Sequence, residues 1–438
     1  MNMKWIFLSL VTFCLLTGCA SSKKVNTAGT TPLYVPKQTG TEKKDSTHHA
    51  NQKKDTATSQ VEVKTPKDSI VNIETKEEKT SFNIAVILPF SSNKVPLDYT
   101  PYDIKADIDI QPNALRSLEF YLGVNQAVQE FKTFQKKINV FVLDQDNVGY
   151  QFNLLKQRPF PEVDVIVTGD QYGVSSDLIR FSNQHQVPLY NVSGANPSMP
   201  SEEVFSVQPN QLNLIQQLLV KAKSVYPDAE IDIIQNPVED SSRILVNAAS
   251  KFIQDEMGLK ARIIPNNTAD AVDSTSFYSS YASNIVLIAS NNERFVKRTI
   301  HQLNLNLFPP YIIGTPSWIK FKSIKTDNSG NPIWIPSFRF VNENLAARDN
   351  LGRKILEDSG IKATINTYLG YDLMNYILKS LDKGALGENQ TSKQLGLKPL
   401  MYRFNFIPFV SGGEMQFFVN DEVDFLRYDG SKFVKSSF

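Results

Sequence analysis

The chain has 438 residues, of which 41% are hydrophobic and 21% charged, and its 46 basic side chains nearly balance 45 acidic ones. This balance argues against nucleic acid as a partner, because phosphate binding requires a basic surplus. Its two cysteines, Cys14 and Cys19, both lie near the start of the sequence. The remaining chain therefore has no disulfide framework, cysteine zinc site or cysteine nucleophile. The length predicts two to three folding units.

The first 18 residues have the pattern of a secretory signal peptide. Lys4 precedes an uncharged, predominantly apolar run at residues 5–16, which is shorter than the roughly 20 residues of a membrane-spanning helix. The motif Leu16-Thr17-Gly18-Cys19 follows, and it resembles the lipobox of bacterial lipoproteins. The resemblance implies cleavage before Cys19 and attachment of a diacylglyceryl group to the Cys19 thiol. An ordinary cleaved secretory signal is the alternative.

Residues 20–80 are predicted to form a disordered tether. These 61 residues include 11 Lys and 11 Thr but few large apolar side chains. Such a segment cannot bury enough apolar surface to offset its ordering entropy. As a flexible coil it would span roughly 40 to 50 Å. We therefore interpret residues 19–80 as a lipidated cysteine with a spacer. Ala20, where many retained inner-membrane lipoproteins have aspartate, favours the periplasmic face of the outer membrane.

From residue 81 onward, short apolar runs alternate with helical patterns. The runs are typical of strands buried on both faces of a sheet and lie at residues 82–88, 138–143, 163–167, 187–192, 231–234, 285–288 and 311–313. Repeated strand–helix–strand units indicate parallel sheets with helices on both faces. This many strands fit two sheets better than one. The predicted fold class is α/β, with two doubly wound parallel-sheet lobes after the tether.

The serial order of these segments resembles the type I periplasmic binding proteins of the branched-chain amino-acid kind. Residues 114–127 match the family's first helix, and Gly370-Tyr371-Asp372 opens a helix like the family's Gly-Tyr-Asp helix. Residues 163–169 match an apolar strand, but Asp170-Gln171 follows where the family commonly has Pro and a ligand-contacting Ser. The resemblance implies two lobes that close on a solute.

The resemblance also implies three crossings between the lobes. We predict them near Pro200, Pro336 and Gly387. Lobe I would then comprise residues 81–200 and 337–386, and lobe II would comprise residues 201–336 and 387–438. Residues 415–434 alternate apolar and polar side chains between turn signals, which predicts a closing β-hairpin.

Polar residues directly after predicted strands are the candidate ligand-binding groups, because ligands bind at the carboxyl ends of strands in open α/β sheets. A carboxylate would hold an ammonium group, hydroxyls and amides a carboxylate, and aromatic rings an apolar wall. Ordinary turn residues at strand ends are the alternative interpretation. The candidates are Asp170, Gln171, Tyr172, Ser193, Asn196, Glu239, Asn291, Thr315 and Trp318.

The sequence contains no recognisable catalytic motif, and it predicts no catalytic residue, metal site or cofactor. We therefore expect a lipid-anchored, non-enzymatic envelope protein that binds a small polar solute, such as an amino acid, peptide or cell-wall fragment, for a transporter or sensor. The alternative is an interaction lipoprotein that activates a peptidoglycan synthase or another envelope partner without binding a solute. In both cases the membrane is reached through the lipid anchor.

Overall fold

A computed structural model describes residues 81–92, 111–131, 136–147, 162–169, 173–266, 284–304, 310–324, 332–339, 345–386, 390–411 and 414–436. The predicted signal peptide, Cys19 and the tether lie outside these ranges. Within them, no helix has the length and hydropathy that crossing a bilayer requires.

The strands and helices alternate along most of the described chain. The strands are β1 (Ser81–Leu88), β2 (Lys137–Asp144), β3 (Val165–Thr168), β4 (Leu189–Asn191), β5 (Val204–Ser206), β6 (Ile231–Gln235), β7 (Ala261–Pro265), β8 (Ile285–Ala289), β9 (Tyr311–Ile313), β10 (Ile333–Ser337), β11 (Phe406–Ser411), β12 (Glu414–Asn420), β13 (Asp424–Tyr428) and β14 (Phe433–Lys435). The helices are α1 (Pro112–Glu130), α2 (Ser176–His185), α3 (Gln211–Val225), α4 (Asp240–Asp255), α5 (Glu293–Leu303), α6 (Leu345–Ser359) and α7 (Ile365–Asp382).

The strands form two sheets of similar design. The first has the order β11-β12-β5-β4-β3-β1-β2, and the second has the order β14-β13-β10-β9-β8-β6-β7. The strands from β1 to β5 pair in parallel, as do those from β6 to β10, and each sheet ends in an antiparallel hairpin. The predicted α/β fold with two parallel-sheet lobes is confirmed.

The strand pairing corrects the predicted lobe boundaries at two places. β5 pairs with β4, so the first crossing follows β5 instead of lying near Pro200. Near Pro336 the chain leaves the second sheet after β10, and its next described strand, β11, lies in the first sheet. The crossing predicted near Gly387 is wrong, because β11 and β12 join the first sheet beside β5. The third crossing instead lies at residues 421–423, between β12 and β13.

The single hairpin predicted at residues 415–434 is replaced by two. β11 pairs with β12 in the first sheet, and β13 pairs with β14 in the second. The alternation of apolar and polar residues indicated strands where β12, β13 and β14 lie, but it did not indicate β11. It could not identify their partners, because the period of two is the same whichever neighbour a strand has.

The first sheet is buried on both faces, as the apolar run of β1 predicts. Ile84 and Val86 point into a core shared with α1 and α7, whereas Ala85 and Ile87 point into a core shared with α2. This alternation follows from the two-residue period of a strand. A strand between two helical layers therefore needs apolar side chains at successive positions.

Helices α1 and α7 approach each other closely through two glycines. A Cβ atom on Gly123 would overlap the carbonyl oxygen of Thr367, and one on Gly370 would overlap the carbonyl oxygen of Phe120. Side chains at these positions would therefore force the helices apart. This contact explains why glycine stands in both of the helix motifs found in the sequence.

Asp372, two residues after Gly370, fixes the chain that leads to β11. Its buried carboxylate accepts hydrogen bonds from the backbone N–H groups of Leu400, Met401 and Tyr402 at 2.8 to 2.9 Å. Burial raises the pKa of Asp372 to about 7, although the three hydrogen bonds lower it. The Gly-Tyr-Asp motif thus sets both the helix packing and the path of a later segment.

We predict that Gly370→Ala lowers the free energy of unfolding by about 1–3 kcal/mol, because the added methyl group overpacks the α1–α7 contact. Urea denaturation followed by circular dichroism measures the change. Gly194→Ala is the matched control, since a Cβ at Gly194 meets no atom within 4 Å. Equal urea midpoints for Gly370→Ala and the unmodified protein would contradict the proposed role of the contact.

Candidate functional site

Two neighbouring cavities lie at the carboxyl ends of the parallel strands. The larger has a volume of about 740 Å³, and its lining includes the loop after β4, the first residues of α3, part of α4, and Asn291 after β8. The smaller, of about 490 Å³, is lined by the ends of β1, β3 and β4, by the first turns of α1 and α7, and by Lys320. Gly194 lines both. Each cavity therefore has walls from both lobes.

Three of the predicted site residues line these cavities. Ser193 lines the smaller one, and Asn196 and Asn291 line the larger one. They follow β4 in the first lobe and β8 in the second, as the rule for strand ends predicts. Asp170, Gln171 and Tyr172 lie outside the described residues.

Glu239 lies at the centre of a hydrogen-bond network in the second lobe and lines neither cavity. Its carboxylate accepts from Asn236 Nδ2, Ser290 Oγ, Ser241 Oγ and the Asn291 backbone N–H at 2.5 to 3.1 Å. Partial burial raises the pKa of Glu239, whereas the four hydrogen bonds lower it. Their combined effect is the larger one, so the pKa lies below its usual value. Four donors occupy the lone-pair positions of a carboxylate. Glu239 thus joins the loops after β6 and β8.

Thr315 and Trp318 are buried and also line neither cavity. The Trp318 indole N–H donates to the Ser290 carbonyl oxygen at 2.9 Å, and its ring lies where a Cβ on Gly314 would stand. Thr315 Oγ1 donates to Asn291 Oδ1 at 2.7 Å. The structure therefore places Trp318 in the core instead of on an open ligand wall. Thr315 holds the Asn291 side chain, and Trp318 holds the backbone of the preceding residue, Ser290.

In the first lobe, Asn191 shapes the loop that carries Ser193. Its Oδ1 accepts from the Ser193 N–H at 3.0 Å and from Ser193 Oγ at 2.8 Å, while its Nδ2 donates to the Ala195 carbonyl oxygen. Gly169 lies against this loop with a φ of +154°, and a Cβ there would stand 2.6 Å from the Ser193 nitrogen. The close approach of β3 and β4 at the cavity thus requires glycine.

The segment that crosses between the lobes after β5 contacts the site loops of both. Asn210 Nδ2 donates to Asn196 Oδ1 at 3.2 Å in the first lobe. Asn291 Nδ2, in the second lobe, donates to Gln211 Oε1 at 3.4 Å. The sequence did not predict Asn210 and Gln211 as site residues. They lie at the start of α3 and do not directly follow a strand of the first sheet.

Sequence reasoning also missed the two cations of the smaller cavity, Arg116 and Lys320. Arg116 lies within α1, and Lys320 ends the short helix Pro316–Lys320. No local pattern distinguishes them from surface cations. Closeness to a strand end along the chain could have indicated Lys320, which lies shortly after β9. It could not have indicated Arg116, which is far from the end of β1.

We predict that Glu239→Gln lowers the free energy of unfolding by about 1–3 kcal/mol at pH 7, because an amide cannot accept from all four donors. The lowered pKa means that the carboxylate stabilises the fold above its unfolded pKa and loses this effect as the pH falls through its folded pKa. The difference between the two proteins should therefore shrink below about pH 4.

Urea titrations at pH 7 and at pH 3.5 to 4 measure this difference, with Glu230→Gln as the control because Glu230 is an exposed acid. A pH-independent difference would contradict the role assigned to the Glu239 carboxylate.

Comparisons with known proteins agree with this architecture. No protein-family model matches the chain. A segment of 136 residues, 31% of this chain, is 27% identical to the glutamate [NMDA] receptor subunit 1 of Drosophila melanogaster and spans 13% of that receptor's length.

Among solved structures, the C-domain of LpoA from Haemophilus influenzae, described as a regulator of PBP1A, is similar with a TM-score of 0.51 and 13% identity, covering 81% of this chain and all of that one. A Rhodospirillum rubrum protein assigned to branched-chain amino acid ABC transport is similar with a TM-score of 0.52 and 10% identity, covering 77% of this chain and 99% of that one. The chain therefore has the type I periplasmic binding protein fold, as the resemblance in its sequence predicted.

Proposed function

We propose that this protein is a lipid-anchored, non-enzymatic envelope protein that binds a small polar solute between its two lobes. The observation that carries the proposal is the cavity of about 490 Å³ at the ends of β1, β3 and β4. Its volume lies within the usual range of ligand pockets. Its position is the one at which open α/β sheets bind their ligands.

The lining of the cleft suits recognition by hydrogen bonding. Ser193 and Gln208 line the smaller cavity together with Phe120 and Leu369, so polar groups and apolar walls face the same space. The proposed role requires the lobes to hold a solute and present it to a transporter or sensor, and it requires no catalytic group. The volume of the cavity suits a ligand of the size of an amino acid, a short peptide or a cell-wall fragment.

The proposal includes the predicted attachment to the membrane. Lipidation of Cys19 would anchor the mature chain, and residues 20–80 would separate the lobes from the bilayer. Burial of acyl chains contributes about 0.8 kcal/mol per methylene group, so two or three chains give stable anchoring. The location proposed is the periplasmic face of the outer membrane.

We predict that Gly194→Phe abolishes solute binding without unfolding the protein. Gly194 lines both cavities, has no positive φ, and has open space around the position of a Cβ. The aromatic ring should therefore fill the cleft. Thermal-shift screening of the full chain against amino acids, small peptides and cell-wall fragments measures the effect.

Leu356→Phe on α6 is the matched control, because Leu356 is an exposed apolar residue that lines neither cavity. It should respond to the same solute as the unmodified protein. If no solute in the three classes stabilises the unmodified chain, or if Gly194→Phe responds equally, solute binding in this cleft is refuted.

A second candidate is an interaction protein that activates a peptidoglycan synthase or another envelope partner. The specific observation in its favour is that Glu239 and Thr315 in the second lobe already have hydrogen-bond partners within the protein. The fold is also similar to that of the LpoA C-domain, which is described as a regulator of PBP1A. A tether between the membrane and the lobes suits a partner held at a distance.

This candidate predicts that deleting residues 36–80 abolishes synthase activation by the membrane-anchored chain, whereas Gly194→Phe leaves it intact. A Gly/Ser linker of equal length should restore activation, because such a linker preserves the flexible reach. The rate of glycan synthesis by the synthase in the same membranes is the measurement. Full activation by the shortened chain would argue against a role for the tether's reach.

A further inference from the structure

The smaller cavity has an unbalanced charge. Its described lining residues include two cations, Arg116 and Lys320, and no carboxylate. Arg116 belongs to α1 of the first lobe, and Lys320 follows β9 of the second. A ligand that contacts both side chains would therefore contact both lobes.

Neither cation has an ion-pair or hydrogen-bond partner for its side chain among the described residues, and both are exposed. Two cations elsewhere in the protein differ in being paired with buried acids: Arg262 bonds Asp232 at 2.8 Å, and Lys435 bonds Asp424 at 2.9 Å. Among the residues that the structure describes, no acid pairs with the positive charge at the cavity.

The acid closest to Arg116 on α1 is Glu119, and it is directed elsewhere. Its Oε2 accepts from Thr364 Oγ1 and Asn366 Nδ2, both at 2.7 Å, and its side chain is buried. Glu119 therefore joins α1 to the start of α7 and does not line the cavity.

The helices around the cavity add to its positive potential. The first turns of α1 and α7 both line it, and neither turn contains an acidic residue. By contrast, α2, α4 and α5 each have an acid in the first turn. Because the N-terminus of a helix carries partial positive charge, two such ends reinforce the two cations.

The larger cavity differs in its chemistry. Its lining has no charged residue among those described, and its polar groups are amides and hydroxyls, such as Asn196, Asn291 and Ser241. A negatively charged group of a ligand that reaches the cleft is therefore stabilised in the smaller cavity more than in the larger one.

We infer that the smaller cavity selects anionic solutes, and that a dianion bridges Arg116 and Lys320 between the lobes. The inference rests on the proposed solute binding and specifies its ligand class. A carboxylate or phosphate would accept charge-assisted hydrogen bonds from both side chains. An ammonium group would find no carboxylate among the described lining residues and would be repelled by the two cations.

Titration calorimetry of the full chain at low ionic strength tests the inference with four probes. Succinate and inorganic phosphate represent the two sources of a dianion, leucine represents a zwitterion, and putrescine represents a dication. Succinate or phosphate should bind at least tenfold more tightly than leucine, and putrescine should give no binding. The stronger of the two anions identifies whether carboxylates or a phosphate group fit the cavity.

Arg116→Gln and Lys320→Gln should each weaken binding of the preferred anion about tenfold, because each removes one charge-assisted hydrogen bond. Lys322→Gln is the matched control: Lys322 is an exposed cation two residues from Lys320 that does not line the cavity. It should bind the anion as the unmodified chain does. Unchanged thermal midpoints without ligand would show that the variants are folded.

The inference is overturned if leucine binds as tightly as both anions, or if Arg116→Gln and Lys320→Gln bind the anion unchanged. If a neutral or zwitterionic solute binds at least as tightly as both anions and Gly194→Phe abolishes that binding, the inference fails while the proposed function stands. If neither these probes nor the solutes of the wider screen bind, both fail.

Discussion

The close contact of α1 with α7 is the constraint on which the first lobe and its cavity depend. The backbones meet at Gly123 and Gly370, where no Cβ can be accommodated. This contact fixes the register of the two helices, and their first turns form one wall of the smaller cavity. Glu119 reinforces the same register by accepting hydrogen bonds from the start of α7. The packing of the core therefore determines where Arg116 is presented.

The connections between the lobes are held together by a second set of contacts. Asn420, at the end of β12, donates from Nδ2 to the carbonyl oxygens of Val207 and Arg403. Its Oδ1 accepts from the backbone N–H groups of Asn405 and Glu422. Val207 follows β5, at the first crossing, and Glu422 lies at the third. A single buried amide thus joins the first and third crossings.

The sequence predicted those features that local patterns determine. Two-sided burial of strands produced continuous apolar runs, so the α/β class and the two sheets followed from the residues alone. The positions of β11 and β12 did not follow, because strand pairing depends on contacts between distant segments. The same division applies to the site. Strand-end positions identified Ser193, Asn196 and Asn291, whereas Arg116 reaches the cavity only through the packing of α1.

The charged groups near the cleft are of two kinds. In the second lobe, Glu239 binds four donors from the loops around it, so its charge is used within the protein to hold those loops in place. Arg116 and Lys320 have no such internal partner among the described residues. Groups that are already paired gain little from a ligand, because binding would exchange one hydrogen bond for another. These two cations are therefore the groups at the smaller cavity from which an anion would gain binding energy, whereas the Glu239 carboxylate holds the loops after β6 and β8.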